Sequence, residues 1–219
     1  MLEDANPVLP DHMTGGTDEA GRGPVFGPLV FAGVVGEEEE LKAIRVRDSK
    51  KCSKGRRERL YGEITERADM IEVIKIQPEE IDSMRASGKN LNAIECEAFG
   101  RIIKNLGCDF VYVDSLGQSF EKELKLACPD VRIVAEFKAD DRYAVVSAAS
   151  IIAKVERDRD MELIQEELEN MTGISVGSGY ASDERTKTFL RSWFENSQSF
   201  PPHIRKSWLP ARRYLNGRL

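Results

Sequence analysis

Two carboxylates, Asp18 and Glu19, stand side by side directly ahead of a Gly21-Arg22-Gly23 turn, in the run T-D-E-A-G-R-G-P over residues 17–24. Acidic oxygens grouped without histidine or cysteine favour hard divalent cations, Mg²⁺ or Mn²⁺, over zinc. Adjacent residues of a strand point to opposite faces, so this pair shares an ion only if the strand ends or bulges between them. The glycines just beyond predict such an end, and they let the backbone approach a sugar or phosphate closely. Arg22 adds a planar fork of donors. An acidic turn after a strand, with no ion at all, is the plainer alternative.

Further acids lie downstream. Asp114 ends the apolar run V-Y-V-D, and the C-terminal end of a strand is a common ligand position in α/β sheets. A helix cap is the competing role. In K-A-D-D, residues 138–141, either Asp140 or Asp141 is placed to cap the following helix or to reach a metal. Asp158 is one more candidate, and spacing alone does not rank these acids. Four carboxylates balance two divalent ions, and two ions roughly 3.5–4 Å apart clamp an in-line phosphoryl transfer. The sequence has no G-x-x-x-x-G-K-[ST] loop, so the expected nucleophile is water.

The elements that must hold these residues come from a chain of 219 residues, 41% hydrophobic and 32% charged. That suits one large domain, or one domain with an appendage. No apolar run approaches the roughly 18 residues of a membrane helix, and the first residues lack the basic start and apolar stretch of a signal peptide. Cysteines at 52, 96, 108 and 128 form no C-x-x-C pair, so free thiols in the cytoplasm are expected rather than zinc or disulfides. The net charge is −6, but residues 45–59 hold eight basic and two acidic residues, and residues 203–219 hold five Lys or Arg and no acid. Two basic segments on an acidic body suit a phosphate backbone. Solvated helix faces are the alternative.

Periodicity predicts strands at 25–35, 70–76, 109–113 and 131–136, besides a short strand before the acidic pair. Helices are expected at 53–68 with Ser53 as N-cap, and at 78–86, 90–105, 119–127 and 142–157. The glutamates 37–40 read as part of a break. The small residues of the last helix, among them Ala144, Ser147, Ala148 and Ala149, predict tight packing against a sheet. Beyond 158 the chain reads as mainly helical with a Gly-rich break at 173–180. The sum is α/β, a five-stranded mixed sheet with helices and a helical C-terminal extension. The divisions are a tail over 1–12, a catalytic domain over 13–172 and a substrate-binding extension over 173–219.

Seven segments in order resemble ribonuclease HII, most closely its archaeal single-chain form, over about residues 14–210. They are T-D-E-A-G-R-G-P, D-S-K (48–50), N-L-N-x-x-E (90–95), V-D-S (113–115), K-A-D (138–140), S-A-A-S-I-I-A-K-V-x-R-D (147–158) and G-S-G-Y (177–180). The resemblance implies a ribonuclease H-like fold and two-metal hydrolysis by Asp18, Glu19, Asp114 and Asp140, with Asp141 as the residual competitor. It implies that Gly21, Arg22 and Gly23 meet the ribonucleotide 2′-OH and adjacent phosphate, that Tyr180 packs on the sugar, and that Ser49 and Lys50 lie near the substrate backbone. The 2′-OH is the group that distinguishes RNA from DNA.

The implied partners are RNA/DNA hybrids and duplex DNA containing a ribonucleotide. Cutting is expected on the 5′ side, leaving 3′-OH and 5′-phosphate ends. The implied roles are removal of misincorporated ribonucleotides and of primer RNA, by a cytoplasmic monomer. Another ribonuclease H-like nuclease would lack the G-R-G turn and the later tyrosine. A non-catalytic hybrid-binding module would gain nothing from four acids facing phosphates. Thr17 departs from the family's usual apolar residue, which makes the first strand less convincingly buried. Ala181 and Glu184 replace common prolines, which loosens the loop after Tyr180. The tail lacks the Q-x-x-[LI]-x-x-F-F sliding-clamp peptide of some archaeal members.

Overall fold

A computed structural model describes residues 14–46, 52–115, 117–197 and 199–215. The expected tail over 1–12 lies outside these residues, as do Ser49 and Lys50. Five strands, β1 (Thr14–Ala20), β2 (Leu29–Gly36), β3 (Met70–Ile76), β4 (Phe110–Asp114) and β5 (Arg132–Glu136), form one sheet in the order β3-β2-β1-β4-β5. β1 pairs parallel with β4, and β4 parallel with β5. The sheet as a whole is mixed, as the sequence predicts. The first three strands lie to one side of the β1–β4 seam and the last two to the other. Such a reversal of order opens a crevice beyond the strand ends.

β2 is buried along its whole length, which explains its unbroken apolar sequence. It starts four residues later than predicted. Pro28 has no N–H to give a ladder, and Gly27 takes a left-handed φ of 82°. The helices are α1 (Glu38–Ala43), α2 (Lys54–Arg67), α3 (Pro78–Ala86), α4 (Leu91–Leu106), α5 (Gln118–Ala127), α6 (Ala144–Thr172), α7 (Glu184–Ser197) and α8 (Leu209–Leu215). Ser53 caps α2, accepting from the Arg56 amide at 3.4 Å. The acidic run is α1 rather than a break: its glutamates suit the positive end of a helix, and Leu41 is buried.

α6 extends to 29 residues, well past the predicted 157, because no Gly or Pro interrupts it before Gly173. Its small-residue start packs as predicted. A Cβ on Gly16 of β1 would stand 2.4 Å from the Val145 backbone carbon, so only glycine admits the helix there. Glu38 accepts from the Ala144 and Val145 amides at 2.8 and 3.4 Å, capping α6 from far upstream in the chain.

The chain builds two compact units that interleave in sequence. One is Met1–Glu19, Phe31–Ile74 and Glu95–Val155; the other is Ala20–Val30, Lys75–Ile94 and Glu156–Leu219. The first contains edge-to-face rings, Phe31 on Phe99 at 5.0 Å and Phe99 on Phe120 at 5.8 Å. The second has its own core, in which Phe26 meets Phe189 at 5.7 Å among Met161, Leu168 and Ile204. The four cysteines are buried free thiols. Among the described residues no helix is long and apolar enough to cross a membrane.

Candidate active site

β1 and β4 run in register from Gly15 beside Val111 to Thr17 beside Val113. One residue further, where β4 ends, the register carries Asp18 to the level of Asp114. Asp114 accepts the Ala139 amide at 2.9 Å, which ties the end of β4 to the 3-10 turn Ala139–Asp141. Asp140 on that turn is buried and Asp141 is exposed, a separation the sequence left open. Asp18 is also buried and accepts the Glu19 amide at 2.8 Å.

Two expectations are corrected here. β1 does not end between Asp18 and Glu19. It continues to Ala20 and stops where Gly21 adopts φ 92°. Thr17 does not weaken the burial of the strand: its side chain is fully enclosed, and its hydroxyl makes no hydrogen bond among the described residues.

The Asp18 carboxyl titrates well above the ordinary carboxylate range. Burial is the largest cause, followed by the neighbouring Glu19 charge; Asp114 raises it further, while a Ser150 hydrogen bond and the Lys154 charge oppose them. Lys154 donates to Ser150 at 2.6 Å, one helical turn apart on α6. Sequence reading assigned these two residues no role. Their signal was present: two polar side chains four residues apart in the stretch 144–155, which is otherwise made of small and aliphatic residues.

Among the described residues no three acidic, imidazole or thiol groups stand as a ready-made cation cluster. The donor set nonetheless fits a hard cation. A buried acid whose proton affinity its acidic neighbours raise, as at Asp18, is stabilised by a positive ion supplied beside it.

A second constellation belongs to the other unit. A Cβ on Gly23 would lie 3.3 Å from the Tyr180 ring, so the G-R-G turn and the half-exposed tyrosine stand side by side. At Gly21 a Cβ would come within 2.9 Å of the Pro28 carbonyl and the Arg157 side chain. Arg22 donates to Asn92, from the N-L-N segment, at 2.8 Å. Arg157 is buried and lies 5.6 Å from the Tyr180 ring centroid. Its Nε and Nη2 have no hydrogen-bond partner among the described residues. Burial lowers its affinity for a proton.

Arg205 is fully enclosed and donates to the carbonyls of Gly27, Arg22 and Pro28 at 2.9, 3.3 and 2.8 Å. Burial first, and then the Arg157 charge, depress its pKa to about 9. Neither arginine was singled out from sequence, because nothing in an isolated basic residue announces burial.

The loop after Tyr180 is held despite its missing prolines. Asp183 accepts from the Ser178 and Arg185 amides at 2.8 and 2.9 Å, and Thr186 bonds Gly179 N and Val176 O. These bonds hold the Asp183 carboxyl far below its ordinary range, the Ser178 amide contributing most.

Comparison with known proteins agrees with these features. A sequence model of the family described as Ribonuclease HII matches residues 15–210. The ribonuclease HII of Thermococcus onnurineus is 42% identical over 90% of this chain and 88% of its own. The crystal structure of ribonuclease H2 from Pyrococcus horikoshii superposes with a TM-score of 0.85 at 37% identity, covering 94% of this chain and 98% of that one. The structure of the PCNA:RNase HII complex from Archaeoglobus fulgidus gives 0.82 at 43% identity, over 89% and 93%.

Proposed function

The chain belongs to the ribonuclease HII family, with a ribonuclease H-like fold, and from that premise we propose how it acts as an endonuclease on RNA/DNA hybrids. It cuts duplex DNA on the 5′ side of an embedded ribonucleotide, leaving 3′-OH and 5′-phosphate ends. Asp18, Glu19, Asp114 and Asp140 would hold two divalent ions, Mg²⁺ or Mn²⁺, which activate a water and neutralise charge on the scissile phosphate. The supporting observation is the β1–β4 register, which carries Asp18 to the level of Asp114, together with the burial of Asp18 and the repulsion it feels from Glu19 and Asp114, which call for positive charge.

The remaining roles fall to the chain's own groups. Lys154, through Ser150, orients the Asp18 carboxylate and offsets its charge. The bare backbone at Gly21 and Gly23 admits the ribose edge, so that peptide groups test for the 2′-OH. Tyr180 packs on the sugar, with the Arg157 cation against its ring. Arg22, Ser49 and Lys50 bind flanking phosphates, and segment 173–219 supplies binding surface. In the reaction, water oxygen bonds to phosphorus, the bond to the 3′-oxygen breaks, and that oxygen takes up a proton.

One gel tests this. An end-labelled DNA duplex with a single ribonucleotide, and a continuous RNA/DNA hybrid, are incubated with Mg²⁺ or Mn²⁺, and with EDTA. Both substrates are expected to be cut only with the ion present, the first at one site 5′ of the ribonucleotide. If neither ion supports cutting, the proposal fails.

A further inference from the structure

Several basic residues of this chain pair with acids: Lys42 with Glu39 at 2.8 Å, Lys125 with Glu121 at 2.6 Å, Arg142 with Glu136 at 2.7 Å and Lys187 with Glu184 at 2.6 Å. A group of cations around one groove is arranged differently. A groove of about 580 Å³ is bordered by Arg85 of α3, by Lys206 and by Arg212 of α8. Among the described residues none of these three exposed cations forms an ion pair.

The acid that shares the groove is occupied elsewhere. Asp82 accepts the Lys206 and Ser207 amides, each at 2.8 Å, and so pins that segment to α3. Two of the cations are held in place. Arg212 Nε donates to the Lys206 carbonyl at 3.2 Å, and the Arg85 guanidinium lies 5.5 Å from the Trp208 ring centroid. The Ser207 hydroxyl at the groove is buried, with no hydrogen-bond partner among the described residues. Positive charges gathered around one groove repel one another until an anion joins them. An orphan hydroxyl is one more donor for its oxygens.

We propose that this groove binds backbone phosphate of the nucleic-acid duplex, away from the bond that is cut. The choice of ligand rests on the proposed function. A chain of net charge −6 needs local positive surface to hold a polyanion. The groove is also continuous in sequence with the substrate-testing turn: Lys206 follows Arg205, which bonds the Arg22 carbonyl. A strand engaged at the turn has its flanking phosphates led along this segment.

The test is binding without cleavage. A fluorescent DNA duplex with one ribonucleotide is titrated in EDTA at several salt concentrations, against the wild type and a variant carrying Arg85→Gln, Lys206→Gln and Arg212→Gln. Affinity near 0.1 M salt is expected to fall about 10- to 100-fold, and the slope of log affinity against log salt to flatten by about 1 to 3. Lys206→Arg keeps wild-type affinity. The single variants Arg85→Gln and Arg212→Gln are read beside it, each flattening the slope by up to about 1, so a poorly folded triple variant still leaves two tests.

An unchanged slope in all variants overturns the inference. So does an affinity loss by Lys206→Arg equal to that of Lys206→Gln, which would mean shape rather than charge. Inorganic phosphate that raises the melting temperature of wild type but not of the triple variant, with duplex affinity unaltered, would make this a small-anion site and also overturn it. Failure of wild type to cut with Mg²⁺ or Mn²⁺ would defeat the proposed function instead, leaving the binding result to stand or fall separately.

Discussion

Beside the C-terminal end of β4 the buried charges are acids, Asp18 and Asp140, whereas at the G-R-G turn they are arginines. The two places resolve their charge differently. Arg205 has three backbone carbonyls as acceptors, so the folded chain itself compensates its enclosure. Asp18 has the Glu19 amide and Ser150, but its acidic neighbours add to the strain of burial. Arg205 is compensated as folded; Asp18 gains from a cation that the chain does not supply. A satisfied anchor suits recognition, which must be rigid before the substrate arrives. A site that is short of positive charge suits chemistry on a phosphate.

That contrast is open to direct attack. The largest effect is expected from Asp114→Asn or Asp18→Asn, which should lower cleavage by about 10³-fold or more while sparing duplex affinity. Normal turnover in either variant would remove that residue from the reacting site. Arg205→Met should cost the fold about 2–4 kcal/mol in denaturant unfolding, because it strands three enclosed carbonyls. Wild-type stability in that variant would show that the carbonyl contacts contribute little. Tyr180→Ala should slow cutting at a single ribonucleotide by about tenfold with the fold intact; an unchanged rate would dismiss the sugar-packing role.

A smaller effect follows from pH. Asp183 has a folded pKa below its unfolded value of about 4, so its support of the Tyr180 loop is full above that value, begins to fade below it, and is lost as pH falls on through the lower folded pKa. Exchange of the Ser178 and Arg185 amides, corrected for intrinsic rates, should quicken below about pH 4 before that of the α6 amides. Equal protection throughout acidification would argue against that anchor. The smallest effect, less than about twofold on cleavage, is expected from Asp141→Asn, since that side chain is exposed while Asp140 is enclosed.

What the sequence disclosed and what it concealed follow the same divide. The five strands, the mixed sheet and the tight packing of the small-residue helix on it rest on local patterns, apolar runs and small-residue faces, whereas the strand order and the approach of Gly23 to Tyr180 are seen only in the fold. The choice between Asp140 and Asp141 needed burial, which two adjacent aspartates do not encode. The α6 cap was assigned to a nearby aspartate or left open, yet its amides are taken by Glu38, more than a hundred residues upstream. The basic segment 203–219 read as uniform charge. It divides into an enclosed arginine that holds a turn and cations that border a groove. Long-range partners of this kind leave no periodic trace, because any acid or base of suitable reach serves.

The central claim is that carboxylates distant in the chain act together on divalent ions. Calorimetric titration of Mn²⁺ into the metal-free protein, for wild type and Asp114→Asn side by side, tests it most directly. Saturable binding in the wild type that is lost or weakened at least tenfold in the variant is the predicted result. Identical isotherms for the two proteins would contradict it.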